Sequence, residues 1–160
     1  MLNITLICVG KMREKHYIAA FQEYEKRLGA YCRFSLTELP EQRLPERPAE
    51  KEIDAALEKE ARAILEHVPK GAVLVAMCVE GKTLSSEALA NRLAQWQTGG
   101  VSRLCFVVGG SFGLHDSVKR AAQMKLSMSP MTFPHHLARV MLMEQIYRAC
   151  TINAGTQYHK

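Results

Sequence analysis

Short apolar runs alternate with amphipathic segments along the whole chain, and this alternation most constrains its fold. Five runs have strand character: 2–9, 33–39, 72–79, 104–108 and 124–128. Five segments have helical spacing of apolar residues: 14–28, 49–67, 84–97, a short one near Asp116, and about 135–153. Strands that alternate with helices predict an α/β sandwich around a mainly parallel sheet. The length of 160 residues and the absence of linkers and repeats predict a single domain, 1–160.

The composition is that of a globular protein, with 48% hydrophobic and 23% charged residues. No uncharged apolar run approaches the roughly 18 residues that a membrane span needs. The first apolar run precedes its basic cluster, whereas a secretory signal has the opposite order. We therefore expect a cytoplasmic protein with no membrane partner.

The net charge of +5 is unevenly distributed. From Phe112 onward there are six Lys or Arg against two acids, so that part alone carries +4, and four histidines lie there too. A basic segment that also carries several histidines favours a polyanionic partner such as nucleic acid. A basic cytoplasmic protein without such a partner explains the charge equally well.

The five cysteines form neither a disulfide framework nor a zinc motif, because they are scattered and no Cys-x-x-Cys occurs. They are typical of small buried hydrophobic residues in a reducing compartment. His135 and His136 are adjacent and point about 100° apart on a helix, whereas paired metal ligands usually stand four residues apart. No metal site is predicted.

Two irregular segments in the second half favour a ligand site. The strand 104–108 breaks into Gly109-Gly110-Ser111-Phe112-Gly113, which places bare backbone at the carboxyl edge of the sheet. The loop 128–134 holds Pro130 and Pro134, which cannot donate a backbone hydrogen bond and push the preceding residues into extended conformations. Either loop alone is as well explained as an ordinary connection, but together they favour a pocket.

Two motifs for phosphate and dinucleotide binding are incomplete. Gly81-Lys82-Thr83 resembles the end of a P-loop, but Ala76 stands where that motif requires glycine. The turn 109–113 lacks the G-x-G-x-x-G pattern and the acidic residue that would bind a ribose. Neither ATP nor NAD is predicted.

The last helix is apolar on nearly every side, which predicts burial on two sides and therefore a homodimer. Within it, Glu144 and Arg148 are four residues apart and can pair. Arg139 lies one turn from the helix start, beside the proline loop, and is the better functional candidate. The tail Gln157-Tyr158-His159-Lys160 would normally fray, but in a dimer it could reach the partner's pocket, where its side chains suit stacking on a base and contacting phosphate.

The motifs resemble one family over essentially the whole chain. They are Val9-Gly10-Lys11-Met12, Phe106-Val107-Val108-Gly109-Gly110-Ser111-Phe112-Gly113-Leu114, Leu126-Ser127-Met128-Ser129-Pro130-Met131-Thr132-Phe133-Pro134-His135, Leu137-Ala138-Arg139-Val140, Glu144-Gln145-Ile146-Tyr147-Arg148-Ala149 and Tyr158-His159-Lys160. This set is similar to the ribosomal large-subunit pseudouridine N3-methyltransferases of the SPOUT class. The combination is specific, although no single glycine or proline motif is.

The resemblance implies a SPOUT-type fold with a trefoil knot in about 103–155, an obligate homodimer and S-adenosylmethionine as the methyl donor, bound in the knot without a metal. It implies the following cofactor-binding residues: Met77, Gly109, Gly110, Met128, Ser129, Pro130, Met131, Thr132 and Phe133. Glycines that permit close approach and an extended backbone beside apolar side chains agree with that assignment.

The implied reaction is methylation of N3 of a pseudouridine in 23S rRNA within the assembled ribosome. The target nitrogen is protonated at neutral pH, so a base or a nearby cation is required. We hypothesise that Arg139 stabilises the developing anion, while His135, Tyr158 and His159 position the base or accept its proton. Two alternatives stay open: a SPOUT methyltransferase acting on another RNA such as a tRNA, and a non-catalytic ribosome-binding protein with the same fold.

Overall fold

A computed structural model describes all 160 residues and contains five strands and five helices in strict alternation. The strands are β1 Leu2–Val9, β2 Cys32–Leu39, β3 Val73–Thr83, β4 Arg103–Val108 and β5 Met124–Ser127. The helices are α1 Lys15–Leu28, α2 Glu50–His67, α3 Ser86–Thr98, α4 Asp116–Ala121 and α5 His135–Ala154. The predicted elements are confirmed, and most boundaries differ by one or two residues.

The strands form one sheet in the order β2-β1-β4-β3-β5, and every pairing is parallel. Side chains alternate across this sheet and feed two cores. Ile4 and Leu6 belong to the larger core, with α1, α3 and α5, whereas Ile7 and Val9 belong to the smaller core, with α2 and α4. The α/β sandwich predicted from the alternation is confirmed.

Strand β3 is longer than its apolar run, which ends at Val79. It continues to Thr83, and its pairing with β5 shifts register between Met77 and Lys82. A Cβ on Gly81 would lie 2.8 Å from backbone atoms of Lys125 and Leu126, so only glycine permits this approach. Gly81 therefore serves strand packing, which agrees with the rejection of the P-loop motif.

Helix α5 packs on the sheet between α1 and α3, which explains much of its apolar composition. Met143, Ile146 and Ala149 are fully buried within their own chain. The apolar residues on every side of α5 are therefore accounted for in large part without a second copy. The homodimer and the trefoil knot in 103–155 both stay predictions. None of the helices combines the length and the apolar character needed to cross a membrane.

Candidate cofactor cavity and tail cluster

The carboxyl ends of β3, β4 and β5 meet at one edge of the sheet and border a cavity of about 410 Å³. This volume lies in the range of small-molecule sites. The segment 77–80, the glycine turn 108–114, the loop 126–133 and the start of α5 line it. The two irregular segments that the sequence singles out therefore form the walls of a single cavity.

The glycine turn 109–113, which follows β4, is closed by a hydrogen bond between two of its own residues. The N–H of Gly113 donates to the carbonyl of Gly110 over 3.1 Å, and Gly113 has a φ of +79°, which favours glycine. A Cβ on Gly109 would lie 2.6 Å from the carbonyl carbon of Gly113, and a Cβ on Gly110 would lie 2.9 Å from the side-chain carboxyl carbon of Glu41. Alanine therefore fits at neither position without displacement of the turn, which explains the bare backbone facing the cavity.

The first half of the proline loop 128–134 is hydrogen-bonded within the chain, whereas two residues of its second half are not. The hydroxyl of Ser127 donates to the carbonyl of Ser129, and the N–H of Met131 donates to the hydroxyl of Ser129, both at about 3 Å. Thr132 and Phe133 form no backbone hydrogen bond within the chain. Their backbone groups are available to a ligand, as the prolines on either side predict.

Eight of the nine cofactor-binding residues predicted from the resemblance line this cavity: Met77, Gly109, Gly110, Met128, Ser129, Met131, Thr132 and Phe133. Pro130 is not among the lining residues. The cofactor-binding assignment itself stays a prediction.

His135, at the first position of α5, is the one predicted catalytic residue that lines the cavity. Burial is the main cause that lowers its pKa, and the neighbouring His136, whose ring centroid lies 4.2 Å away, adds to the effect. The neutral imidazole therefore predominates at neutral pH and can accept a proton.

Arg139 lies outside the lining of this cavity, although it is only one turn further along α5. Its side chain is 1% exposed. Its Nη1 donates to Glu38 over 2.7 Å and its Nη2 to the carbonyl of Gly10 over 3.0 Å, while its Nε has no partner. Arg139 thus ties α5 to the ends of β1 and β2, and its predicted catalytic role stays a prediction.

The other two predicted catalytic residues, Tyr158 and His159, lie together against α5 and outside the cavity lining. Tyr158 donates to Oε1 of Glu144 over 3.1 Å, and His159 Nε2 lies 2.8 Å from Glu87. Arg148 completes this tail cluster: its Nη2 lies 2.6 Å from Oε1 of Glu144 and its guanidinium carbon 4.8 Å from the ring centre of Tyr158. The pairing of Glu144 with Arg148 is confirmed.

The contacts within the tail cluster determine which of its side-chain atoms carry a proton. Arg148 Nη1 lies 3.1 Å from His159 Nδ1, and because arginine can only donate, Nδ1 is the acceptor. The proton of neutral His159 is therefore on Nε2, which faces Glu87. Desolvation and the adjacent Glu144 carboxylate raise the pKa of Tyr158 to about 12, so Tyr158 stays protonated at neutral pH and acts as a donor.

Three charged residues near the cavity were missed in the sequence. Glu80 and Lys119 line the cavity and are ion-paired with each other. Glu41, from the loop between β2 and α2, accepts a hydrogen bond from the N–H of Ser111 over 3.3 Å. Glu80 had a usable signal, since it follows a buried strand at the carboxyl edge. The sequence has no such signal for Lys119 and Glu41, because only tertiary contacts bring these two residues to the cavity.

The mouth of the cavity is apolar and exposed. Val79, Phe112 and Met131 are 58%, 48% and 73% exposed, and all three belong to the cavity lining. They are three of only five large hydrophobic residues that the chain exposes. A cluster of this kind marks a contact surface. The chain contains no group of three or more His, Cys, Asp or Glu residues that could hold a metal ion.

Comparisons with known proteins agree over the full length of the chain. The family model described as "Predicted SPOUT methyltransferase" matches residues 2–159. A protein of Bifidobacterium animalis subsp. lactis (strain AD011), named "Ribosomal RNA large subunit methyltransferase H", is 48% identical over 159 residues, which are 99% of this chain and 100% of that protein. A solved structure titled "The structure of a probable methylase family protein from Haemophilus influenzae Rd KW20" superimposes with a TM-score of 0.52 at 14% identity, over 99% of this chain and 70% of that one.

Proposed function

The chain belongs to the SPOUT methyltransferase family, and from that premise we propose that it transfers a methyl group from S-adenosylmethionine to N3 of a pseudouridine in 23S rRNA of the assembled ribosome. The observation that carries the proposal is the cavity at the β3, β4 and β5 edge. Eight residues expected to bind the cofactor line that cavity. The name of the 48% identical relative supports ribosomal RNA as the substrate.

The cavity fits such a methyl donor on two structural grounds. At Gly109 and Gly110 the backbone is bare because a Cβ would collide with the turn or with Glu41. Thr132 and Phe133 offer unpaired backbone groups beside the apolar side chain of Met128, a combination that suits a purine ring. When bound, S-adenosylmethionine supplies an activated methyl group, so the protein's own task is to align and deprotonate the target nitrogen.

His135 is the proposed proton acceptor at N3, since its lowered pKa keeps the imidazole neutral and it lines the cavity. Arg139 is the proposed cation that stabilises the base after proton loss, which requires that its guanidinium leave Glu38. Arg148 is a second candidate for this cation because it contacts both tail residues. Tyr158 donates a hydrogen bond to the base, and His159 positions it.

The protein is proposed to act as a cytoplasmic homodimer whose subunits each carry the trefoil knot. The exposed apolar side chains at the cavity mouth support a second copy there. The tail residues support it too, because Tyr158 and His159 do not line the cavity of their own chain. A partner copy would bring a tail cluster to each cavity.

The decisive experiment is transfer of labelled methyl groups from S-adenosylmethionine to ribosomes that lack the modification. Intact ribosomes, isolated large subunits, naked 23S rRNA and tRNA are assayed in parallel, and the labelled nucleotide is mapped. Label at one pseudouridine in intact ribosomes alone is expected. Label on tRNA would favour the other RNA substrate, and a folded protein that does not bind S-adenosylmethionine would favour a non-catalytic ribosome-binding role.

The rate of methyl transfer is expected to rise with pH through a pKa below the ordinary histidine value of about 6.5. Burial lowers the pKa of His135, so the imidazole is protonated, and unable to accept a proton, only at more acid pH. The measurement is the pH dependence of single-turnover transfer in wild type and His135→Gln. The variant should lose this acid limb, and an unchanged profile in His135→Gln would exclude His135 as the base.

Arg139→Ala is expected to lower the free energy of unfolding by about 3 kcal/mol, because it leaves the carboxylate of Glu38 and the carbonyl of Gly10 without their partner. Denaturant unfolding measures this loss. Turnover is then compared below the unfolding transition, with Arg148→Ala in parallel. If Arg139→Ala retains full turnover and cofactor affinity while Arg148→Ala loses turnover, the catalytic cation is Arg148.

A further inference from the structure

The cofactor cavity contains a single lysine and a single carboxylate, and they face each other. Lys119 of α4 forms an ion pair with Oε1 of Glu80, which lies in the extended part of β3. They are the only Lys, Arg, Asp or Glu residues that line the cavity. The remaining lining is apolar, neutral polar or backbone, together with the largely neutral His135.

The ion pair of Lys119 with Glu80 contributes little to the stability of the fold, so stability does not explain its position at the cavity. Glu80 is half-exposed, and an ion pair open to water contributes little to folding. The side chain of Lys119, by contrast, is only 21% exposed, so its ammonium is held over the cavity with much of its stem covered. The hydrogen bond from Lys119 is the main cause that lowers the pKa of Glu80, which keeps this carboxylate ionised at neutral pH.

A ligand that matches these two charges must carry an anion and a cation a short distance apart. The amino-acid end of S-adenosylmethionine has this chemistry, with an α-carboxylate and an α-ammonium on one carbon. Insertion of that end between the two side chains replaces one ion pair by two charge-assisted hydrogen-bonded pairs. No other charged side chains in the lining could neutralise both groups.

We propose that Lys119 and Glu80 form the subsite for the amino-acid end of the methyl donor. Lys119 binds the α-carboxylate and Glu80 binds the α-ammonium. This inference rests on the proposed function and adds to it an assignment of the polar end of the ligand, with the nucleoside left to the glycine turn and the proline loop. Because the demethylated product has the same amino-acid end, the subsite recognises both and does not select between them.

The competing role for the pair is a structural tie between α4 and β3. A tie predicts that its removal weakens every ligand of the cavity equally, through distortion of the walls. A subsite predicts a loss only for ligands that carry the amino-acid end. Two ligands separate these roles: S-adenosylhomocysteine has that end, whereas 5′-methylthioadenosine has the same nucleoside and lacks it.

The experiment is calorimetric titration of wild type, Lys119→Ala and Lys125→Ala with each ligand. Lys125→Ala is the matched control, since Lys125 is an exposed lysine of β5 near Glu80 but outside the lining. Lys119→Ala should weaken S-adenosylhomocysteine about tenfold or more, the worth of one hydrogen bond to a charged group. Its affinity for 5′-methylthioadenosine should stay within about twofold of wild type, and Lys125→Ala should change neither affinity beyond that margin.

Equal weakening of both ligands by Lys119→Ala, or no weakening of either, would overturn the subsite. Glu80→Gln repeats the test from the other charge and replaces Lys119→Ala if that variant fails to fold, with thermal unfolding of the free proteins as the check. Wild-type protein that binds neither ligand would instead overturn the proposed function. Failure of the methyl-donor assignment is thus distinguishable from failure of the subsite.

Discussion

Gly109→Ala is expected to abolish measurable cofactor binding and to reduce methyl transfer about a hundredfold or more, the effect of displacing a bound reactant by roughly 1 Å. The added Cβ would lie 2.6 Å from the carbonyl carbon of Gly113, well inside van der Waals contact. The neighbours are backbone atoms of a closed turn and cannot rotate away as a side chain would. Relief therefore requires that the turn open, which moves the backbone that lines the cavity.

The matched control is Gly29→Ala at the end of α1. Gly29 has right-handed backbone angles, and its Cβ would lie 3.3 Å from the carbonyl oxygen of Lys26, which is tight but tolerable. Titration with S-adenosylhomocysteine and unfolding by denaturant should show normal affinity for Gly29→Ala. If Gly109→Ala binds the ligand as wild type does, the glycine turn does not form the cofactor site.

The elements of the fold follow from the sequence because strands and helices have different apolar periods. The runs of β1 and β4 are buried on both faces, and a continuous apolar run identifies such a strand. The second half of β3 escaped this criterion, since Glu80, Gly81 and Lys82 interrupt the apolar pattern. It extends to Thr83 because Gly81 lets two backbones approach, a contact that no local pattern encodes.

At the candidate site, too, features set by local sequence could be predicted, whereas features set by contacts between distant residues could not. Glycine and proline restrict the backbone locally, so the turn 109–113 and the loop 128–134 could be identified from the sequence, and both line the cavity. The direction of a long charged side chain depends instead on partners far along the chain. The position of Arg139 beside the proline loop suggested that its side chain would line the cavity. Its guanidinium instead binds Glu38, which is 101 residues earlier, and therefore lies outside the cavity lining.

Removal of the last four residues, 157–160, is expected to lower methyl transfer about a hundredfold, while affinity for S-adenosylhomocysteine stays within about twofold of wild type, because general acid–base and positioning groups contribute to the rate on this scale. Tyr158 and His159 lie against α5 and α3 of their own chain and do not line its cavity. Rapid-quench turnover and ligand titration measure the two quantities. Equal loss of affinity and rate would mean that the tail supports the cofactor cavity itself.

If the protein forms the proposed homodimer, mixed dimers decide which subunit supplies the tail. Gly109→Ala and the tail-deleted protein should each retain at most about a hundredth of the wild-type activity alone, since one lacks a functional cavity and the other lacks Tyr158 and His159. If the tail acts across the dimer, a mixed dimer has one complete site, formed by the cavity of the tail-deleted subunit and the tail of the Gly109→Ala subunit. If the tail serves its own chain, each subunit of the mixed dimer still lacks one half of its site. Recovery of activity after the two variants are unfolded and refolded together would therefore place the tail cluster in the partner's cavity, and no recovery from verified mixed dimers would return it to its own.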